Sequence, residues 1–237
     1  MTQLLSQQVA IITGGGTGFG AAIARALAAE GAHCVLAGRR REPLEAVAAE
    51  LGQAAHVIPT DVLEAAQLQH LVTETIRLFG KLDILINNAG IYKPLPFAEL
   101  PLANWDATLN TNLRSVFQLT QLAWPHLIQS QGQVVNISSV AGVQGFEGSA
   151  AYSASKFGLN GLTEVLAIEG KPHGIRAFSV CPAAADTPIW HNHAAPEVLN
   201  RMMKAEAVAE TVCWLLTSPR SIHIEPVIIR NFQNPWG

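Results

Sequence analysis

Tyr152 and Lys156 lie four residues apart and could together form an acid/base pair. Residues at this spacing share a face of a helix, and the segment Tyr152-Ser153-Ala154-Ser155-Lys156 begins a predicted helix. A free tyrosine has a pKa of about 10, and an adjacent ammonium stabilises the phenolate and lowers that pKa. The same spacing also occurs on ordinary helix surfaces, so the pair indicates chemistry only together with other residues.

Two further polar residues could complete this group. Ser139 ends a predicted strand, Val135-Asn136-Ile137-Ser138-Ser139, and lies thirteen residues before Tyr152. A loop of that length could bring both hydroxyls onto one carbonyl oxygen. Asn112 lies in the helix before that strand and could support a buried water chain, although a buried asparagine often serves structure alone. Asn112, Ser139, Tyr152 and Lys156 are therefore the candidate catalytic residues.

A glycine-rich segment separates the first predicted strand from the first predicted helix. Glycines at this point let the backbone turn tightly and approach a pyrophosphate, whose charge the N-terminus of the helix favours. An ordinary tight turn is the alternative interpretation, but ligands of open α/β sheets bind at the carboxyl ends of the strands, where this segment lies. The segment predicts dinucleotide binding by Gly14, Gly16, Thr17, Gly18, Phe19 and Gly20.

The end of the second predicted strand indicates which dinucleotide binds. Enzymes that use NAD usually place an acidic residue here, whereas arginine accommodates the 2′-phosphate of NADP. Arg39, Arg40 and Arg41 follow Gly38, and no acidic residue precedes Glu42. Cations at the N-terminus of a helix face an unfavourable dipole, which an anionic ligand would relieve. Arg39 and Arg40 therefore predict NADP(H); the alternatives are NAD(H), or arginines that only face solvent.

Short apolar runs alternate with stretches of helical period along the chain. The predicted strands are Val9–Thr13, Cys34–Ala37, His56–Ile58, Ile84–Ile86, Gln133–Ile137, Ile175–Val180 and Val227–Ile229. Helices are predicted between them, including a long continuous one from about Trp105 to Ile128. Seven strands that alternate with helices predict a three-layer, doubly wound parallel sheet, the Rossmann fold, in one domain over residues 1–237.

These motifs resemble the single-domain short-chain dehydrogenases/reductases in both order and spacing. The resemblance runs from about Val9 to Thr187 and includes Asn87-Asn88-Ala89-Gly90 after the fourth strand. It implies an oxidoreductase that transfers a hydride between NADP(H) and a carbonyl or secondary alcohol. Tyr152 would be the general acid/base, Lys156 would lower its pKa and hold the nicotinamide ribose, and Ser139 would orient the substrate. Asn112 would keep a relay water in place.

The resemblance also implies further cofactor contacts. Asp61 and Val62 correspond to the adenine contact, and Asn88, Ala89 and Gly90 to the segment beside the adenine ribose. Pro182 and Thr187 are retained from the stretch that covers the nicotinamide, but Ala183 replaces its usual glycine. If that position requires a positive φ, alanine costs stability or shifts the loop.

The segment after Thr187 is the expected substrate lid. It runs from Pro188 to Met203 and contains Trp190, His191 and His193. A His-x-His pair can bind a metal, but no further ligand cluster accompanies it, so we expect lid or surface histidines and no metal.

Composition excludes several other classes of protein. The net charge of −3 argues against a nucleic-acid partner. Cys34, Cys181 and Cys213 form no CxxC pair, which favours a reducing, cytoplasmic location. The sequence shows no signal peptide and no apolar run of about 20 residues, so no membrane association is expected. The resemblance implies a homodimer or homotetramer, built through the helices near 105–128 and 152–169.

Two other functions compete with this interpretation. A dinucleotide-binding sensor or scaffold without turnover is one, although such relatives have typically lost the tyrosine or the lysine. A serine hydrolase is the other, and it fails because no GxSxG elbow surrounds Ser139.

Overall fold

Seven parallel strands form one sheet in the order β3-β2-β1-β4-β5-β6-β7 in this computed structural model, which describes residues 3–190 and 194–232. The strands are β1 (Val9–Thr13), β2 (His33–Gly38), β3 (Ala55–Pro59), β4 (Ile84–Asn87), β5 (Gln133–Ile137), β6 (Arg176–Pro182) and β7 (Val227–Ile229). The predicted Rossmann fold is thus confirmed. The direction of winding reverses between β1 and β4, which opens a crevice beyond the carboxyl ends of these two strands.

Helices cover both faces of the sheet. They are α1 (Gly18–Ala29), α2 (Arg41–Leu51), α3 (Ala65–Phe79), α4 (Leu102–Leu109), α5 (Ser115–Ser130), α6 (Ala150–Gly170), α7 (Pro196–Leu199) and α8 (Ala205–Thr217). Ala10 and Ile12 of β1 pack with α1, α2 and α8, whereas Val9 and Ile11 pack with α3 and α5 on the opposite face. This alternation produces two apolar layers around the sheet. No helix in the described part of the chain is long and apolar enough to cross a bilayer.

The long helix expected from Trp105 to Ile128 is not one continuous α-helix. Residues Asn110–Arg114 form a π-helical turn between α4 and α5. Such a turn inserts an extra residue and frequently occurs at functional sites. The spacing of apolar residues in the sequence does not reveal this turn, because the apolar face of the helix continues before and after it. The sequence-based prediction of a single helix was therefore wrong at this turn.

A chain of buried polar side chains ties α6 to the centre of the sheet. Asn87 in β4 donates hydrogen bonds to Asn136 Oδ1 at 2.8 Å and to Thr120 Oγ1 at 3.1 Å. Asn136 in β5 in turn donates to Thr163 Oγ1 in α6 at 2.8 Å. All four side chains are buried, so each bond satisfies a group that water cannot reach. This network fixes the position of the helix that carries Tyr152 and Lys156.

We expect Thr163→Val to destabilise the fold by about 1–3 kcal/mol, because it leaves the buried Asn136 amide without its acceptor. Thr163 Oγ1 also donates a hydrogen bond to the carbonyl oxygen four residues earlier, at 2.7 Å. Thr211→Val is the matched control, since Thr211 makes the equivalent bond at 3.0 Å on a half-buried face of α8. It should change stability by less than about 0.5 kcal/mol. Urea unfolding of the two variants measures the difference, and equal losses would show that the network does not stabilise α6.

Candidate active site

A continuous groove crosses the carboxyl edge of the sheet. A cavity of about 1000 Å³ extends from the glycine-rich segment to Tyr152, and a second of about 400 Å³ extends from the same segment to Arg39. The large cavity is lined by Gly14, Thr17, Gly18, Phe19, Asn88, Ala89, Gly90, Ser139, Tyr152, Lys156, Pro182 and Thr187. The small one adds Gly16, Arg39, Asp61 and Val62, and Arg40 lines both. Every predicted site residue except Gly20 and Asn112 lines at least one of these two cavities.

A left-handed backbone turn and close packing determine the shape of the glycine-rich segment. Gly14 has a φ of +66°, in the left-handed region that favours glycine. A Cβ atom at Gly20 would overlap the Gly14 carbonyl oxygen. Thr13 Oγ1 accepts hydrogen bonds from the backbone N–H groups of Asn88 at 2.9 Å and Ala89 at 3.0 Å. These contacts close β1 against β4 and leave a cradle of bare backbone, which suits a pyrophosphate.

The far end of the groove is cationic. Arg39 and Arg40 are exposed on its wall, and neither forms an ion pair within residues 3–190 and 194–232. Arg41 differs, because it pairs with Glu45 at 3.0 Å along α2 and lines neither cavity. Two guanidinium groups beside a cradle for a pyrophosphate fit an additional phosphate.

The hydroxyl of Tyr152 lies with Ser139 at the opposite end of the groove. Ser139 Oγ accepts a hydrogen bond from the Ala141 N–H at 3.1 Å and donates one to the Pro182 carbonyl oxygen at 3.5 Å. The Tyr152 ring packs edge-on against Tyr92 with centroids 4.9 Å apart. Burial raises the pKa of Tyr152 to about 12, and the nearby Ser139 hydroxyl opposes that rise only in part. We expected Lys156 to lower this pKa, but burial dominates here, so the hydroxyl is protonated at neutral pH.

Lys156 is buried one helical turn after Tyr152. Its ammonium donates a hydrogen bond to the Ile137 carbonyl oxygen at 2.7 Å and lies 5.6 Å from the centroid of the Tyr152 ring. Burial lowers the pKa of Lys156 to about 8. Near pH 7 the side chain therefore carries its charge in most molecules and is the cation beside the tyrosine.

Asn112 is fully buried in the π-helical turn, outside the groove. Its carbonyl oxygen accepts from the Ile91 N–H at 2.8 Å, and its amide donates to the Ile91 carbonyl at 3.0 Å and to Ser155 Oγ at 3.2 Å. These bonds connect the strand-four loop with α6 immediately beside Tyr152. The side chain positions this part of the site.

Ala183 takes the place of the expected glycine without backbone strain. Among the described non-glycine residues, a positive φ occurs only at Gln7 and Gln131. The Ala183 N–H donates to the Ile229 carbonyl oxygen at 2.8 Å, which extends the pairing of β6 and β7. The concern that alanine would shift this loop is therefore not supported.

The expected lid begins after Thr187. Lys204 and Asp186 form an ion pair of 3.0 Å across its base, and α7 lies within it. His191 and His193 lie outside the described residues. Within the described residues, no group of three or more side chains could hold a metal ion.

Several residues of the site carry no motif. Tyr92 and Trp190 face each other with ring centroids 5.2 Å apart, and both line the large cavity with Gln144 and Arg230. Asn160, one turn after Lys156, donates to the Gly142 carbonyl at 2.9 Å and accepts from Ser179 Oγ at 2.5 Å. The only signal for Tyr92 was its place two residues after Gly90.

The fold and the groove define a dinucleotide-binding oxidoreductase, and comparisons with known proteins agree. The sequence matches the short chain dehydrogenase family over residues 8–197. It is 33% identical, over 96% of this chain and 98% of the relative, to an uncharacterized oxidoreductase of Staphylococcus aureus (strain USA300). It is 35% identical to the uncharacterized oxidoreductase YxjF of Bacillus subtilis (strain 168), over 92% of this chain and 86% of that protein.

Two crystal structures have closely similar folds. A variant of actinorhodin polyketide ketoreductase with NADPH superposes with a TM-score of 0.88 at 29% identity and 98% coverage of both chains. The 3-ketoacyl-(acyl-carrier-protein) reductase of Brucella melitensis, complexed with NADH, gives 0.88 at 31% identity, over 95% of this chain and 96% of the other. The chain belongs to the short-chain dehydrogenase family, whose enzymes interconvert CH–OH groups and carbonyls with NAD(P).

The chain has only two tyrosines, so the ionisation of Tyr152 can be followed directly. In Tyr92→Phe without cofactor, we expect no phenolate absorbance near 295 nm below about pH 10.5, because burial holds the pKa of Tyr152 near 12. Tyr92→Phe/Tyr152→Phe provides the baseline, and circular dichroism defines the pH range in which the fold persists. A midpoint near pH 8 would mean that Lys156 outweighs burial.

Proposed function

We propose that this protein reduces a ketone to a secondary alcohol with NADPH, and catalyses the reverse reaction with NADP⁺, with Tyr152 as the general acid/base. The observation that supports this most is that Ser139, Tyr152 and Lys156 line one end of a groove whose other end carries Arg39 and Arg40. Along the groove, a cationic site, a backbone cradle and an acid follow one another. This is the order in which NADPH would place its 2′-phosphate, its pyrophosphate and its nicotinamide.

The cofactor is assigned to the groove from end to end. Arg39 and Arg40 bind the 2′-phosphate, Asp61 and Val62 contact the adenine, and the segment Asn88–Gly90 lies beside its ribose. The glycine-rich segment binds the pyrophosphate, Lys156 holds the nicotinamide ribose, and Pro182 and Thr187 cover the ring. When bound, the nicotinamide supplies the hydride for reduction or accepts it in the reverse direction.

Tyr152 and Ser139 act on the oxygen of the substrate. Both hydroxyls donate hydrogen bonds to the carbonyl oxygen, which orients it and stabilises the negative charge that develops there. The Tyr152 proton then passes to this oxygen as the alcohol forms. Reduction needs protonated Tyr152, which burial favours, and the Lys156 ammonium stabilises the phenolate left behind.

A substrate lid and a homo-oligomer are two further parts of the proposal. We propose that residues 188–203 close over the substrate within the single domain 1–237. Apolar side chains on α5 and α6 are exposed, including Phe117 at 48%, Phe157 at 48% and Ile168 at 65%. Burial of such a face favours association, so we propose a homodimer or homotetramer built through these two helices.

Tyr152→Phe removes the proton donor and keeps the ring. We expect ketone reduction with NADPH to fall by at least about 10²-fold, while NADPH affinity changes by less than about threefold, because the ring still packs against Tyr92. A panel of ketones assayed for NADPH oxidation, together with calorimetry of NADPH binding, measures the two effects. Retained turnover would contradict the acid/base role; cofactor binding without turnover in the wild-type protein would favour a sensor.

Arg39→Ala should separate the two nicotinamide cofactors. We expect kcat/KM for NADPH to fall at least about tenfold more than kcat/KM for NADH, since only NADPH carries the 2′-phosphate that the guanidinium binds. Arg41→Ala is the matched control, because it removes the same charge from a side chain that pairs with Glu45 and lines neither cavity. Equal losses for both cofactors in Arg39→Ala would show that this residue does not recognise the 2′-phosphate.

A further inference from the structure

The large cavity extends beyond the residues assigned to the cofactor and to the proton transfer. Tyr92, Gln144, Phe146, Trp190 and Arg230 line this remaining part, which we call the outer chamber. Because the chamber opens from the end of the groove that holds Tyr152, it is where the rest of the substrate would lie.

Arg230 reaches the outer chamber from a well-defined piece of backbone. It follows directly after β7, whose last residue, Ile229, pairs with Pro182 of β6. The hydrogen bond from the Ala183 N–H to the Ile229 carbonyl fixes this junction beside the nicotinamide segment. Arg230 thus belongs to the same wall as Pro182 and Ala183.

The Arg230 guanidinium has spare hydrogen-bonding capacity. It donates one long bond, Nη2 to Gln144 Oε1 at 3.3 Å, and forms no ion pair within residues 3–190 and 194–232. Arg176 differs, since it donates to Gln133 Oε1 at 2.6 Å and to the Ser218 carbonyl at 3.2 Å. A guanidinium has five N–H donors in a fork that matches a carboxylate, so Arg230 can bind one from the substrate.

The wall between Tyr152 and the chamber rim is aromatic. The ring of Tyr92 contacts that of Tyr152 at 4.9 Å and that of Trp190 at 5.2 Å between centroids. Phe146 adds a further apolar surface, 43% exposed. Such a surface favours an apolar or planar segment between the reacting carbonyl and a charged end.

We propose that the substrate is an oxo acid: a ketone whose apolar middle packs against Tyr92 and Trp190 and whose carboxylate binds Arg230. This inference rests on the proposed function, since it places the ketone at Tyr152. Glu147 lines the same cavity but forms no ion pair with Arg230 among the described residues. Its charge opposes a carboxylate ligand, and the experiment below decides which of the two charges dominates.

Binding of unreactive ligands tests the proposal without any turnover. The probes are phenylalkanoates with one to four methylene groups and their matched primary amides, titrated calorimetrically into the protein with and without saturating NADP⁺. The probes differ in chain length so that at least one of them can match the distance across the outer chamber. In the wild-type protein, at least one carboxylate should bind tenfold or more tightly than its amide, which is about 1.4 kcal/mol.

Substitution of Arg230 should remove this preference. In Arg230→Gln the ratio of amide to carboxylate Kd should fall to about one, whereas Arg230→Lys should retain part of it because the charge remains. Arg77→Gln removes a charge from an ion pair on α3, outside both cavities, and should leave the ratio unchanged. Circular dichroism confirms that each variant is folded.

Three results would overturn the proposal: amides that bind as tightly as carboxylates at every length, a preference that survives in Arg230→Gln, or no measurable binding of any probe. None of these results depends on reduction of a ketone. If the protein preferred carboxylates but reduced no ketone, the proposed function would be disproved, and Arg230 would remain an anion-binding residue.

Discussion

The junction between β1 and β4 is the constraint on which the rest of the site depends. Thr13 at the end of β1 accepts two backbone hydrogen bonds from the loop after β4, so the strands are joined where the winding of the sheet reverses. Parallel strands direct their carboxyl ends to one edge, and helices on both faces leave only that edge open. The glycine cradle, Ser139 and the Ala183 segment all follow carboxyl ends at this edge. Their proximity is a consequence of topology.

At the Tyr152 end of the groove, burial affects the pKa values more than the pairing of charges does. Removal from water disfavours the charged forms of both Tyr152 and Lys156, which raises one pKa and lowers the other. The buried network of Asn87, Asn136 and Thr163 makes this arrangement rigid, because α6 cannot shift without breaking bonds that water cannot replace. The site therefore holds a protonated acid beside a cation, an arrangement suited to giving a proton to a carbonyl oxygen.

Sequence patterns predicted the strands and helices that are determined by the residue types within each segment. Buried strands appear as apolar runs, and most predicted boundaries lie within about two residues of the observed ones. The π-helical turn at Asn110–Arg114 was missed because its apolar face is continuous. The raised pKa of Tyr152 was not predicted, because four-residue spacing reveals a neighbouring cation but not the depth of burial. Tyr92 and Arg230 come from distant segments and line the same cavity only through tertiary packing, which a single sequence does not display.

We propose that one groove holds a nicotinamide dinucleotide, with its 2′-phosphate end at Arg39 and Arg40 and its reactive end at Tyr152. Calorimetric titration of the wild-type protein with NADPH and NADH, side by side in the same buffer, tests it most directly. We expect saturable binding of both cofactors, with NADPH at least tenfold tighter, which is about 1.4 kcal/mol. Tighter binding of NADH would contradict the assignment of the two arginines, and binding of neither would contradict the assignment of the groove.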